Sequence, residues 1–259
     1  MSIIKQPDEP RFDYWWEDFF SGDWQDVQQA FKKPETTRSE VGFISNLLDL
    51  PQGSEVLDVP SGEGRLALEL AQQGFKVTCV ELTRGLIDKA REKAKRRGLK
   101  LEFFQCDMRN LPWKDRFDAA INYWGSFGYF DDDGNESFVR AIANSLKPNG
   151  KFLVETHTLE TILPNDKPRD WRKVGDTFAL EERTFNYETS RVDVQWTFLK
   201  ANKISKSYSS IRIYSFHELC GLLNRAGFVH WQACETLTGK PFQLGAARLT
   251  IVATKSRQL

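Results

Sequence analysis

Two glycines that follow a short apolar run are the residues of this chain best suited to bind a ligand. The run Val56-Leu57-Asp58-Val59 has the composition of a buried strand, and Gly62 and Gly64 come shortly after it. Glycine lets the backbone turn sharply and lets a ligand approach the main chain closely. An amphipathic helix is predicted from Gly64 onward, so its amide groups point toward the same place. This pattern predicts a binding site for a nucleotide-type cofactor.

The glycines alone leave two kinds of cofactor open. Gly62, Gly64 and Ala67 fit the pattern Gly-x-Gly-x-x-Gly/Ala, which is also the fingerprint of NAD(P)-dependent oxidoreductases. In that fingerprint the apolar strand usually runs directly into the first glycine. Here an acidic residue, Asp58, lies inside the strand, and Val59-Pro60-Ser61 separates it from Gly62. The longer pattern Val-Leu-Asp-x-x-x-Gly-x-Gly is therefore the more specific one.

Strand and helix patterns alternate along the chain on both sides of this turn. The predicted strands are residues 55–59, 76–81, 101–106, 119–122, 151–156, 228–235 and 248–254, and the predicted helices are residues 41–50, 64–73, 84–97, 136–146 and 215–226. Such alternation predicts an α/β fold with a parallel sheet and helices on both faces. Residues 171–214 instead alternate in short stretches without a long helix, which predicts an antiparallel β insertion.

Five landmarks in order resemble the class I S-adenosylmethionine-dependent methyltransferases. They are the pattern from Val56 to Gly64, Glu81 at the end of the second strand, Asp107-Met108 after the third, Phe117-Asp118-Ala119-Ala120-Ile121-Asn122, and Leu146-Lys147-Pro148-Asn149-Gly150-Lys151-Phe152. The resemblance implies a Rossmann-like, doubly wound, mostly parallel seven-stranded sheet with an antiparallel last strand. It also implies S-adenosyl-L-methionine as cofactor and methyl transfer to an N, O or C atom of a small organic acceptor.

The same resemblance implies a set of cofactor-binding residues. They are Asp58, Pro60, Gly62, Gly64, Glu81, Leu82, Asp107, Met108 and Asn122. Glu81 would accept hydrogen bonds from the ribose hydroxyls, and Asp107 would face the adenine amino group. Other roles remain open, since Asp58 could instead pin the turn amides and Asp107 could cap a helix. Arg65 is predicted to form a structural ion pair.

The first 50 residues are predicted to form a helical cover. Residues 12–31 are crowded with aromatic side chains, and the segment resembles the cofactor-covering helices of the glycine and sarcosine N-methyltransferases. That resemblance implies that Arg38 holds the methionine carboxylate and that an aromatic side chain packs over the sulfonium or the adenine. The candidates for that side chain are Tyr14, Trp15, Trp16 and Trp24, and Trp24 is the one we predict. The alternative is that the aromatic residues are only the apolar face of a covering helix.

The acceptor is expected beyond the carboxyl ends of the fourth and fifth strands, where open parallel sheets bind their ligands. Trp124, Phe127 and Tyr129 are the predicted acceptor-binding residues. His157 follows the fifth strand, and its ordinary pKa suits a general base. Tyr123 is the second candidate for that role. The insertion over residues 170–214 is predicted to be a lid or a dimer interface.

Composition limits the remaining classes of function. Basic and acidic residues number 36 each, so no strongly charged face is expected and nucleic acid is a poor candidate partner. The four cysteines and three histidines are scattered, which indicates neither a metal site nor a disulfide framework. We therefore expect a single cytoplasmic methyltransferase domain over residues 1–259, without a membrane partner, as a monomer or homodimer. The alternatives are an NAD(P)-dependent oxidoreductase and a catalytically silent cofactor-binding regulatory protein.

Overall fold

The computed structural model describes residues 14–31 and 33–257, which divide into two compact units. The larger unit contains residues 33–166 and 212–257, and the smaller unit contains residues 14–31 and 167–211. The strands in chain order are β1 Glu55–Asp58, β2 Lys76–Glu81, β3 Glu102–Gln105, β4 Phe117–Asn122, β5 Leu146–Thr156, β6 Arg169–Val174, β7 Thr177–Asn186, β8 Arg191–Lys200, β9 Lys203–Arg212, β10 Phe228–Glu235 and β11 Leu249–Lys255. The helices are α1 Trp24–Phe31, α2 Pro34–Leu48, α3 Arg65–Gln72, α4 Arg84–Arg96, α5 Asp132–Ser145, α6 Leu159–Ile162 and α7 Phe216–Arg225.

The larger unit is built on a seven-stranded sheet of order β10-β11-β5-β4-β1-β2-β3. Strands β1 to β5 are parallel, whereas β11 lies antiparallel between β5 and β10. The predicted fold class is therefore confirmed. Because β2 and β4 pair on opposite sides of β1, the order of the strands reverses there. Such a reversal opens a crevice at the carboxyl ends of the strands.

Helices α2 and α3 bury their apolar side chains against one face of this sheet. Val41 and Ile44 of α2 and Leu66 of α3 pack with Val56 and Ile121 of the strands. Each fully buried aliphatic side chain contributes about 1.5–3 kcal/mol. This packing holds the start of α3, and with it the glycine turn, firmly beside β1.

Helix α2 begins seven residues earlier than the sequence predicts, at Pro34 instead of Val41. Proline suits the first helical position because its missing N–H would have no partner there, and Glu35 complements the helix dipole. The polar residues of the first two turns hide the apolar period. The correction matters because it places Arg38 and Glu40 on a helix packed against the sheet.

Two other helices start where side-chain caps satisfy their first amides. The Asp131 carboxylate accepts a hydrogen bond from the Gly134 N–H at 2.8 Å, so α5 begins at Asp132, four residues before the predicted start. Ser215 caps α7 as predicted, and its N–H donates in return to Glu218 at 2.7 Å. Both caps follow the usual preference for short polar side chains.

The smaller unit contains the four-stranded sheet β6-β7-β8-β9, which confirms the predicted antiparallel insertion and adds β6 to it. One face of this sheet packs on the aromatic residues of the N-terminal segment. The ring centroids of Trp24 and Trp196 lie 4.4 Å apart, and those of Phe19 and Trp196 lie 6.2 Å apart. The predicted helical segment 12–31 contains two 3-10 turns and α1, and residues 12 and 13 lie outside the described residues. None of the helices we describe combines the length and apolar character needed to cross a bilayer.

Candidate functional site

The glycine turn lies between the end of β1 and the start of α3. Its backbone is closed by hydrogen bonds from Ser61 N–H to Val80 O at 2.8 Å and from Gly64 N–H to Ser61 O at 2.9 Å. Gly62 and Gly64 have φ values of 54° and 73°, in the left-handed region that favours glycine. The turn therefore requires glycine at both positions for backbone reasons.

The surroundings of the two glycines differ. A Cβ atom on Gly64 would lie 3.0 Å from the Cβ of Ala90, so this glycine allows α3 and α4 to pack closely. A Cβ atom on Gly62 would meet no atom within 4 Å. The open space above Gly62 has room for part of a ligand.

Alanine substitutions should separate these two roles. Gly64→Ala is expected to lower the free energy of unfolding by roughly 2–4 kcal/mol, from left-handed strain plus overpacking against Ala90. Gly62→Ala should cost only about 1 kcal/mol of stability but weaken S-adenosylhomocysteine binding at least about tenfold, because the new methyl group enters the open space. Urea unfolding and isothermal titration calorimetry measure the two effects. If the two variants lost the same affinity and had the same stability, the two glycines would not have these different roles.

Glu81 ends β2 and is bonded to the glycine turn. Its Oε2 accepts the N–H of Gly62 at 2.9 Å, and its Oε1 accepts the N–H of Thr83 at 2.9 Å. Burial raises the pKa of this carboxyl group, while the two backbone N–H groups oppose the shift. Each carboxylate oxygen has a second lone pair, so Glu81 can still accept hydrogen bonds from a ligand.

Asp58 is the buried acid at the end of β1, with 3% of its surface exposed. Burial raises the pKa of Asp58 to about 7, with a smaller upward contribution from Glu81. The charge of Arg65 and the N–H of Ala67 act in the opposite direction. The N–H of Ala67 lies in the first turn of α3, so Asp58 ties the end of β1 to the start of that helix. A buried carboxyl group that titrates near neutral pH is typical of a functional site.

Asn122 ends β4 and presents a polar atom that the described residues leave without a hydrogen-bond partner. Its Nδ2 donates to the carbonyl of Val59 at 2.9 Å, which fixes the orientation of the amide. Its Oδ1 is fully buried and unpartnered. Buried polar atoms normally have partners, so an orphaned acceptor beside the turn fits a ligand group. Pro60 lies two residues after Asp58, and Leu82 directly follows Glu81.

Asp107 follows β3 and is held by Arg109. It accepts hydrogen bonds from the backbone N–H of Arg109 at 2.8 Å and from its guanidinium at 2.6–3.1 Å. Burial favours a raised pKa, but these bonds and the charge of Arg109 hold the pKa of Asp107 below its usual value. The guanidinium also lies 4.2 Å from the ring centroid of Phe130. Sequence reasoning missed Arg109, although its position two residues after the acid was a usable signal. Met108 between them is buried.

The loop after β4 carries the predicted acceptor-binding side chains. Phe127 and Tyr129 are buried, whereas Trp124 is partly exposed. The hydroxyl of Tyr123 is buried and has no hydrogen-bond partner among the residues of the described part of the chain. Burial raises the pKa of Tyr123 well above its usual value, with a further contribution from Glu155. The phenol therefore stays protonated at neutral pH.

Two further charged residues, Glu155 and Arg248, lie at this edge of the sheet. Glu155 of β5 has 1% of its side chain exposed; it accepts the N–H of Gly125 at 2.9 Å and the Nη1 of Arg248 at 2.8 Å. Arg248 precedes β11 and lies 93 residues further along the chain. Antiparallel pairing of β11 with β5 brings the two residues together, and no local pattern in the sequence announces it.

His157 immediately follows β5 and is half-buried. Its Nδ1 lies 3.4 Å from the hydroxyl of Thr161 at the start of α6. His157 thus follows the carboxyl end of β5, next in sequence to Thr156.

Within the described part of the chain, Arg38 and Trp24 contact residues that lie outside the glycine turn. Arg38 lies on α2 with 64% of its side chain exposed, and its guanidinium is 3.4 Å from Glu35. Trp24 belongs to the smaller unit, where it contacts Trp196 and Phe19. Their predicted cofactor contacts stay predictions. Arg65, in contrast, forms the predicted structural ion pair, with Glu40 as its partner.

Known methyltransferases are similar to this chain in sequence. The profile of a family described as a methyltransferase domain matches residues 56–150. The putative methyltransferase YqeM of Bacillus subtilis (strain 168) is 31% identical over 220 residues, which cover 81% of this chain and 87% of that protein. A putative methyltransferase of Geobacillus sp. (strain WCH70) is 34% identical over 110 residues, covering 41% of this chain and only 44% of that relative.

A solved structure shares the fold over nearly the whole chain. It is the S-adenosylmethionine-dependent methyltransferase from Clostridium acetobutylicum ATCC 824, with a TM-score of 0.78 at 18% identity, covering 91% of this chain and 100% of that one. The five sequence landmarks, the strand order and the extended match to the Bacillus protein agree. The chain therefore belongs to the class I S-adenosylmethionine-dependent methyltransferase family.

Proposed function

We propose that this protein transfers the methyl group of S-adenosylmethionine to an N, O or C atom of a small organic acceptor. The observation that carries the proposal is the open space above Gly62, whose N–H donates to Glu81. The buried Asp58 and the Asn122 Oδ1 that lacks a partner among the described residues lie at the ends of the neighbouring strands β1 and β4. These groups are acceptors, which suits a cofactor with ribose hydroxyls and an amino group. When bound, the cofactor supplies a methyl group on a sulfonium centre.

The chain's own residues would then bind, orient and exclude water. Glu81 would hold the ribose, Asp58 and Asn122 the polar groups nearest the turn, and Asp107 the adenine end. Methyl transfer is an in-line displacement, so alignment of donor and acceptor supplies much of the rate enhancement. The buried Phe127 and Tyr129 support an acceptor pocket with largely apolar walls.

His157 is the proposed general base, in preference to Tyr123. A base must be able to take up a proton, and the raised pKa of Tyr123 keeps its phenol protonated, so it would instead donate a hydrogen bond. His157→Ala is expected to lower kcat about 100-fold at saturating cofactor and leave S-adenosylhomocysteine affinity within about threefold. A variant that kept full turnover would remove His157 from the reaction.

A dehydrogenase is disfavoured by the way the turn is used. The N–H of Gly62 donates to Glu81, so it is not free for a pyrophosphate oxygen. The carboxylate of Glu81, which accepts the N–H of Gly62, would also repel a phosphate when it is ionised. A silent cofactor-binding regulator would show the same cofactor site but no turnover.

The testing experiment has two steps. Thermal unfolding is followed with S-adenosylhomocysteine, with NAD⁺ and without ligand, and only the first ligand is expected to raise the melting temperature. The protein is then incubated with methyl-labelled S-adenosylmethionine and a library of small metabolites, and labelled products are sought by mass spectrometry. Stabilisation by NAD⁺ alone would support the dehydrogenase. Binding of S-adenosylhomocysteine without any labelled product would support the silent regulator.

A further inference from the structure

Trp124, two residues after the end of β4, has a backbone conformation that bulky residues rarely adopt. Its φ is 69°, and Gly125 continues the left-handed turn with φ 65°. Such a conformation costs a bulky residue about 1–3 kcal/mol, and it persists only where the surroundings hold it. The contacts of these two residues identify what holds them.

Glu40 of α2 holds the side chain of Trp124. Its Oε1 accepts the indole N–H at 2.8 Å, and its Oε2 pairs with the Nη1 of Arg65. The same Nη1 donates to the hydroxyl of Thr37 at 3.1 Å, and the guanidinium carbon lies 4.9 Å from the indole centroid. Glu40 has 5% of its surface exposed, so these bonds form in a poorly hydrated place.

Glu155 holds the backbone of the same turn. Its Oε2 accepts the N–H of Gly125, and Arg248 neutralises its charge through Oε1. Two buried carboxylates from α2 and β5 therefore hold two consecutive residues of the turn. Since Arg65 is the first residue of α3, Glu40 also ties this turn to the glycine turn that ends at Gly64.

We propose that Glu40 and Glu155 are positioning residues that act through the Trp124-Gly125 turn and fix the acceptor loop relative to the cofactor turn. The inference rests on the proposed methyl transfer. A displacement of about 1 Å between reacting groups can lower the rate about 100-fold. Rigid support of this turn would therefore raise the rate, although the strain at Trp124 lowers the stability. Glu40 would support catalysis without touching donor or acceptor.

The test compares Trp124→Phe, Glu40→Gln and the double variant with the wild type. Trp124→Phe keeps an aromatic ring but removes the indole N–H, and Glu40→Gln removes the charge that pairs with Arg65. Trp113→Phe is the matched control, because Trp113 is also partly exposed and lies beside an arginine, Arg116, with 5.6 Å from the guanidinium carbon to the ring centroid. Each variant is assayed for S-adenosylhomocysteine affinity by calorimetry and for kcat with the labelled product of the wild type.

We expect Trp124→Phe and Glu40→Gln each to lower kcat by about 10- to 100-fold, with cofactor affinity changed less than about threefold. The double variant should lose about as much as the worse single variant, because both changes disrupt the same Trp124–Glu40–Arg65 network. Trp113→Phe should retain the wild-type kcat. The proposal would be overturned if the loss of kcat in the double variant equalled the product of the two single losses. It would also be overturned if Trp124→Phe kept the wild-type kcat.

Melting curves show whether each variant folds. If Glu40→Gln does not fold, Trp124→Phe measured against Trp113→Phe decides the question, through a loss confined to kcat. A wild type that binds no S-adenosylhomocysteine or forms no labelled product would instead remove the proposed function.

Discussion

Replacing Asp58 with asparagine is expected to stabilise the protein above neutral pH and to weaken its cofactor binding there. The pKa of Asp58 is about 7 in the folded protein, against an ordinary value of 3.8. Between these two values the folded state binds more protons than the unfolded state, so the free energy of unfolding falls as pH rises. Asparagine has no such dependence. One pKa unit corresponds to about 1.4 kcal/mol, so the variant should gain roughly 2–4 kcal/mol at pH 8 and little near pH 4.

Cofactor binding by the wild type should become stronger as pH rises, whereas its stability falls. In the proposed site the ionised carboxylate would accept hydrogen bonds from a bound amino or hydroxyl group, and it predominates only above about pH 7. Affinity of the wild type for S-adenosylhomocysteine is expected to rise about tenfold from pH 6 to pH 8. Asp58→Asn should bind about 10- to 100-fold more weakly at pH 8, with a much smaller pH dependence.

Urea unfolding at pH 5 and pH 8 and calorimetric titrations at pH 6, 7 and 8 measure both effects. Running the variant in the same buffers separates Asp58 from every other titrating group. If the asparagine variant kept the wild-type dependence of affinity on pH, the dependence would belong to another residue, with Glu81 the first candidate.

Removing the carboxylate of Glu81 is the second change with a large expected effect. Glu81→Ala should weaken S-adenosylhomocysteine binding by at least about 100-fold, since hydrogen bonds to a charged group contribute about 1.5–3 kcal/mol each. The expected loss has two causes: the proposed contact with the ribose would disappear, and the N–H groups of Gly62 and Thr83 would lose their acceptor. Glu81→Gln keeps one acceptor oxygen and should lose about tenfold.

Glu69→Ala is the matched control for this experiment. Glu69 lies on α3 and pairs with Arg97, away from the turn, so its removal should leave the affinity unchanged. Calorimetry on the three variants gives the comparison. Equal losses for Glu81→Ala and Glu81→Gln would mean that charge, and not the number of acceptors, matters at this position.

Much of the fold could be predicted from the sequence because its signals are local. The strand Lys76–Glu81 is predicted with its observed bounds, since a run of apolar residues is bounded by a glycine turn and a helix start. The start of α2 was predicted wrongly because its first two turns contain mostly polar residues and so show no apolar period. Strand β6 was missed because its alternation of tryptophan, arginine and lysine is only weakly apolar.

The site could be predicted only where a motif carries it. Asp58, Gly62 and Glu81 are close together through β1 and β2, which neighbour each other in sequence and in the sheet. Glu40 and Trp124 are 84 residues apart, and Glu155 and Arg248 are 93 residues apart. Such pairs are created by packing and by strand order, which a single sequence does not encode in any local period. Arg109 lies only two residues after Asp107, so its pairing with that acid could have been predicted from the sequence.

The position of β11 has a consequence for how the molecule is made. This strand, one of the last segments described, lies between β5 and β10 in the middle of one half of the sheet. Its residues Ile251 and Ala253 are fully buried, so the sheet has an unfilled gap until they are in place. During synthesis, roughly one hundred further residues must therefore be made after β5 before β11 can pair with it. Truncation before Leu249 would leave two exposed strand edges and a protein prone to aggregate.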